Sequence, residues 1–245
     1  MFVGIANALS RFRLWPRVNN AIANNEYQAY LNYIEFSYPS NHTYKIVNDK
    51  LIPKHKLASR YKKIHKLLPK NLTSLVEVGC SKGFFVFSGS EFSGYTRGLG
   101  IDVNQYDIEV CRWVKEKIHN SNTTFEKMQL HELASRIDEF GGPFQTVLVL
   151  NTYQYLYFGS DAFPECYLNH DAIFQCLRSI CSGRVIFNNR IALTDCQNVK
   201  RIAQAEQQCR MNYSEVQALA AASQYFTVTR QGKIGKYPLF TLDVK

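Results

Sequence analysis

The sequence predicts an α/β protein. A mostly parallel sheet of seven strands carries helices on both faces, ends in an antiparallel hairpin and follows a helical N-terminal extension. Three observations predict this. From residue 72 short apolar runs alternate with helix-period stretches, the rhythm of βαβ units. The first of those runs ends in a turn bearing Gly79 and Gly83. The tail holds two further runs around QGKIGKYP, a turn marked by glycine and proline.

Taken in order, residues 1–15 space Phe2, Ile5, Leu9 and Phe12 as a helix. Arg11 and Arg13 interrupt the apolar stretch, so it reads as a short docked helix rather than a signal peptide, with peripheral membrane contact as the alternative. Tyr27, Tyr30, Leu31 and Ile34 share a helical face that Pro39 ends. Residues 56–68 form an amphipathic helix, with Leu57, Tyr61, Ile64 and Leu68 inward and Arg60, Lys62, Lys63 and Lys66 on the other side. Strands are expected at 75–78, 98–103, 123–127, 146–150 and 184–187, then at 226–230 and 239–244. Helices are expected at 83–92, 105–119, 130–139, 170–180, 195–209 and 213–223, with Ser214 as N-cap of the last. Two domains follow: 1–70, a basic, aromatic-rich helical extension or lid, and 71–245, the α/β domain.

The net charge of +9 is unevenly placed. Residues 1–70 carry 12 Lys or Arg and three acids, and the remainder balances. Such a segment concerns partners rather than fold. The seven cysteines form no CxxC pair, which points away from a disulfide framework or zinc site and toward a reducing cytosol. No apolar run approaches the roughly 18 residues of a membrane span.

The segment 75-LVEVGCSKGFF-85 carries the most chemistry. Glycines after a strand let the backbone turn sharply and let a ligand approach. Asp102 ends the next strand, where an acid accepts hydrogen bonds from ribose hydroxyls. The spacing Gly79-x-x-x-Gly83 fits neither the dinucleotide GxGxxG pattern nor a P-loop. It resembles motif I of the class I S-adenosylmethionine-dependent methyltransferases, with Ser81 standing where the middle glycine usually falls.

The resemblance continues in order over about residues 72–245 and implies a Rossmann-like fold with S-adenosylmethionine as cofactor. It implies that Glu77 orients the loop and the methionine amino group, and that Gly79, Cys80, Ser81 and Gly83 line the methionyl and ribose moieties. Asp102 would hold the ribose hydroxyls, Val103, Met128 and Gln129 the adenine, and Asn151 would end the motif IV strand. Lys82 is expected to face solvent, with the methionine carboxylate as the alternative.

Motif IV lacks the (D/N)PP(Y/F) signature of amino-group methyltransferases, and the Lys-Asp-Lys-Glu set of ribose methyltransferases has no match. No metal constellation stands out. Tyr155 and His170 are the catalytic candidates, His131 and Asp171 weaker ones, and Asn189 and Arg190 end a strand on the substrate side. The aromatic segment 157–169 is long enough to act as a lid. The expected function is O-methylation of a small or saccharide-like anionic acceptor. One alternative is an RNA methyltransferase using the basic residues 45–70. The other is a non-catalytic domain that binds cofactor or a partner.

Overall fold

The computed structural model describes residues 15–161, 163–196 and 199–245. The helix expected near the start therefore lies largely outside the described residues. The chain runs through α1 (Trp15–Phe36), a hairpin of β1 (Tyr44–Val47) and β2 (Lys50–Pro53), and α2 (His55–His65). The α/β part continues with β3 (Ser74–Val78), α3 (Phe84–Ser88), β4 (Arg97–Asp102), α4 (Gln105–Lys117), β5 (Thr123–Lys127), α5 (Leu130–Ser135) and β6 (Phe144–Leu150). Then come α6 (Tyr153–Phe158), α7 (His170–Ser179), β7 (Cys181–Asn188), α8 (Gln207–Met211), α9 (Glu215–Tyr225), β8 (Phe226–Ile234) and β9 (Tyr237–Val244).

The sheet has seven strands in the order β5-β4-β3-β6-β7-β9-β8. The first five pair in parallel, and β9 runs antiparallel between β7 and β8. Strand alternation sends side chains to two cores. Val76, Val78, Val147 and Val149 face one, beneath α5, α7 and α9. Leu75, Leu148 and Leu150 face the other, with α3 and α4. Glu77 alternates with Val76 and Val78, so it points to the side of Leu75.

That second core also takes Ile34 of α1, Tyr44 of β1, and Leu57 and Ile64 of α2. The residues described before position 70 are thus built into the α/β layer. Lys54 donates to the Glu35 carbonyl, tying the hairpin to α1. Tyr44 Oη donates to the Lys82 carbonyl at 2.7 Å, and Lys82 Nζ donates to the Ser37 carbonyl at 2.8 Å.

Four expectations need correction. The extension is not wholly helical, because β1 and β2 form a hairpin whose turn residues Asn48 and Asp49 take φ of 49° and 58°. Arg60 is not on the solvent side of α2: it is buried with Leu57 and Ile64, which the spacing of three and four residues dictates. Lys82 is fully buried instead of facing solvent. Residues 195–209 are not one helix: two 3₁₀ turns, Leu193–Cys196 and Lys200–Gln204, precede the short α8. Ser214 does cap α9, its side chain accepting from Gln217 N at 3.2 Å.

Candidate active site

The carboxyl ends of β3, β4 and β6 and the segments after them enclose a cavity of about 290 Å³. Such ends are where open α/β sheets bind ligands. The loop after β3 builds its floor. Gly79 has φ +74°, and its N donates to the Ile101 carbonyl at 2.8 Å. A Cβ there would lie 2.3 Å from Thr152 Oγ1, so only glycine fits the approach to β6. Ser81 takes φ +47°, a left-handed conformation that usually falls to glycine. Its N donates to Asp102 Oδ2 at 2.9 Å, and the Asp102 Oδ1 accepts from Asn104 N at 3.0 Å. Each carboxylate oxygen keeps further acceptor capacity. Burial pushes the Asp102 carboxyl up, against the pull of those backbone donors.

Gly79, Ser81, Asp102, Val103, Met128, Gln129, Asn151 and Tyr155 all line this cavity. Met128 N donates to the Asp102 carbonyl at 3.1 Å, which fixes the step from β5 to the adenine side expected from the motif. Gln129 Nε2 donates to Glu165 Oε2 at 3.0 Å, joining the floor to the 157–169 segment. Ser160, Phe163 and Tyr167 of that segment also reach the cavity.

Three expected ligands lie behind the wall instead. Cys80 is buried, with its sulfur so close to Gly100 that a Cβ there would meet it at 2.9 Å. Gly83, at φ +74°, packs against Cys111 and Phe125 and leads into α3, which has five residues. Glu77 is fully buried, and both carboxyl oxygens lack a hydrogen-bond partner. Desolvation pushes its pKa up to about 8, although the Arg60 charge opposes the shift.

The catalytic candidates separate. Tyr155 is on the cavity, and burial raises its pKa, with Arg190 opposing, so the phenol is a donor at neutral pH. His170 is not at the site. Its Nδ1 accepts from Tyr153 Oη at 2.5 Å, and its Nε2 donates to the Asn212 carbonyl at 3.0 Å, so both nitrogens are spent in the core. Burial lowers its pKa. Asn189 likewise braces the turn after β6. Its Oδ1 accepts from Thr152 N and Tyr153 N at 2.8 and 3.0 Å, and its Nδ2 donates to the Val149 carbonyl. Arg190 is positioned by its Nε, which donates to Asn151 Oδ1 at 3.0 Å. Asn151 itself takes φ +64°.

Sequence reasoning missed Tyr38, Pro39, His42 and Asp107, which also line the cavity. Tyr33 Oη donates to Asp107 Oδ1 at 2.7 Å, and burial raises the Asp107 carboxyl to about 6. His42 Nε2 accepts from Arg60 Nη1 at 2.7 Å. Burial, with the charges of Arg60 and Lys82, holds that imidazole neutral. Asp107, in the first turn of α4, is close enough to Asp102 for that charge to push its carboxyl up further. Nothing local marks Tyr38–His42, which the fold brings over the site.

The chain has the class I methyltransferase fold, with a cavity at the carboxyl ends of the central strands. Solved structures agree. The PH0226 protein from Pyrococcus horikoshii OT3 superposes with a TM-score of 0.56 at 17% identity, over 82% of this chain and 95% of that one. A protein from Listeria monocytogenes assigned as an S-adenosylmethionine-dependent methyltransferase gives 0.54 at 14% identity, over 78% and 100%. A ribosomal protein L11 methylase from Lactobacillus delbrueckii subsp. bulgaricus gives 0.50 at 12% identity, over 79% and 81%. No protein-family model and no curated protein matches the chain by sequence.

Two outcomes follow. Gly79→Ala adds left-handed strain and a clash with Thr152, and should cost about 2–4 kcal/mol in urea unfolding, part of it recovered by adding Thr152→Ala. An undiminished stability would refute the packing argument.

Glu77 has a folded pKa raised from 4.5 to about 8, so its contribution is complete below 4.5 and is lost as pH rises through 8. Wild-type stability should therefore fall between about pH 4.5 and 8 relative to Glu77→Gln, measured by denaturant midpoints. Parallel pH profiles for the two proteins would contradict a neutral buried carboxyl.

Proposed function

We propose that this protein is a methyltransferase that uses S-adenosylmethionine and acts on an oxygen of a small anionic acceptor. The observation that carries the reading is the convergence of Gly79, Ser81, Asp102, Val103, Met128, Gln129 and Asn151 on one cavity. The fit of the cofactor rests on this chain's own features. The Gly79 and Ser81 backbone lines the cavity, and Asp102 keeps free lone pairs beside it. When bound, the cofactor supplies an activated methyl group on a sulfonium.

The protein's own work is then placement and exclusion of water. Asp102 would hold the ribose hydroxyls, and Val103 and Met128 would pack the adenine. Tyr38, Pro39 and His42 on one side and Phe163 and Tyr167 on the other would roof the cavity. Tyr155 would donate to the acceptor. Neither it nor His42 is placed to take a proton, since the phenol is held protonated and the His42 Nε2 is engaged by Arg60. This favours an acceptor oxygen that arrives ionised.

Three of the tyrosines that an RNA reading would use for stacking pack on other rings. Tyr27 and Tyr30 lie 5.3 and 5.4 Å from the Trp113 ring, and Tyr33 lies 4.8 Å from Tyr106.

Asp102→Ala should weaken S-adenosylhomocysteine binding by about 1.5–3 kcal/mol, through the loss of two hydrogen bonds to a charged acceptor. Calorimetry reads this directly. Unchanged affinity, or no binding to wild type at millimolar ligand, would refute the reading.

A further inference from the structure

A second cavity, of about 470 Å³, lies against the first, and Tyr38 and Asn151 line both. α2 forms one side, the end of β7 another, and the turn between β8 and β9 a third. Its charge has one sign. Arg60, Arg190, Lys56 and Lys236 line it together with His55, and no carboxylate does. Gathering four cations around one hollow costs repulsion unless an anion relieves it.

The two arginines differ from surface charges. Arg60 is 3% exposed, and its Nη2 has no hydrogen-bond partner, while Nη1 goes to the neutral His42. Burial pulls its pKa down to about 10, with Glu77 opposing. A buried guanidinium without a bonded carboxylate is costly until an anion completes it. Arg190 is 7% exposed, pinned through Nε to Asn151, with its guanidinium 5.3 Å from the Tyr237 ring centre. Lys236 Nζ lies 3.8 Å from Asp195 Oδ1, and Lys56 Nζ donates weakly to Ser40 Oγ at 3.4 Å. Neither contact neutralises the cavity itself.

We infer that this cavity holds the phosphate of a phosphorylated small acceptor, gripped by Arg60 and Arg190 and attracted by Lys56 and Lys236, so that the remainder of the acceptor passes Tyr38 and Asn151 into the transfer cavity. Guanidinium forks match the paired oxygens of a phosphate, and its two negative charges answer the excess better than a single carboxylate does. Arg190 links the two cavities physically, because Asn151, which it holds, forms part of both walls. The passage of the acceptor rests on the methyl-transfer reading. The anion site stands on its own residues.

Calorimetric titration of inorganic phosphate into the full chain tests the site, with S-adenosylhomocysteine titrated separately. Saturable one-to-one phosphate binding is expected, weakened about tenfold by Arg190→Gln. Since Arg60→Met removes a buried group and can fail to fold, the surface double variant Lys56→Ala with Lys236→Ala serves beside it. That variant should weaken phosphate binding and flatten its salt dependence while leaving S-adenosylhomocysteine affinity within about twofold. No saturable phosphate binding, or equal affinity in all variants, overturns the inference. So does a single-stranded oligoribonucleotide that binds this site more tightly than a phosphorylated sugar. Phosphate binding without S-adenosylhomocysteine binding would leave the anion site in place and remove the transferase reading. The reverse pattern would remove only the anion site.

Discussion

The site depends on a backbone that turns with positive φ at three of the five positions from Gly79 to Gly83. Only that path lets the loop pass within contact distance of Thr152 and still send Ser81 N to Asp102. Asp102 therefore does two things at once. It locks the loop at the end of β3 to the end of β4, and it presents its remaining lone pairs to the cavity. Ser81 tolerates a conformation that glycine adopts freely, and its bond to a carboxylate offsets part of that cost.

The second organising feature is electrostatic. Three of the twelve bases in the first 70 residues serve in two ways. Lys54 is consumed by its links to Glu35. Arg60 and Lys56 face the second cavity. Glu77 and Arg60 share the same side of the sheet without a direct hydrogen bond, and each is shifted toward neutrality by burial. A buried acid kept near neutral beside an unfulfilled arginine is the pattern of a site prepared for charged ligands.

Much of the fold was legible because the central strands β3 and β6 are short, apolar and bounded by turn residues. β5 runs over the residues expected, Thr123–Lys127, and β3 begins one residue before the expected start. Gly79, Ser81 and Asp102 were legible because their spacing is local to one βαβ unit. The β1–β2 hairpin carried a signal that was overlooked: Asn48-Asp49 between two β-branched runs is a hairpin turn. Arg60 was misplaced because charge was weighed above spacing. His170 looks catalytic and Asn189 substrate-facing as residue types, and only tertiary structure reveals that the core has used the side-chain nitrogens and oxygen of both. The second cavity draws on α2, β7 and the β8–β9 turn, which no sequence window brings together.

A crystal structure of the protein soaked with S-adenosylhomocysteine measures the central claim most directly. The account predicts the ribose hydroxyls on Asp102, the adenine between Val103 and Met128, and the sulfur directed toward Asn151 and Tyr155. A cavity left empty at saturating ligand, or the ligand bound away from the Gly79–Gly83 loop, would contradict it.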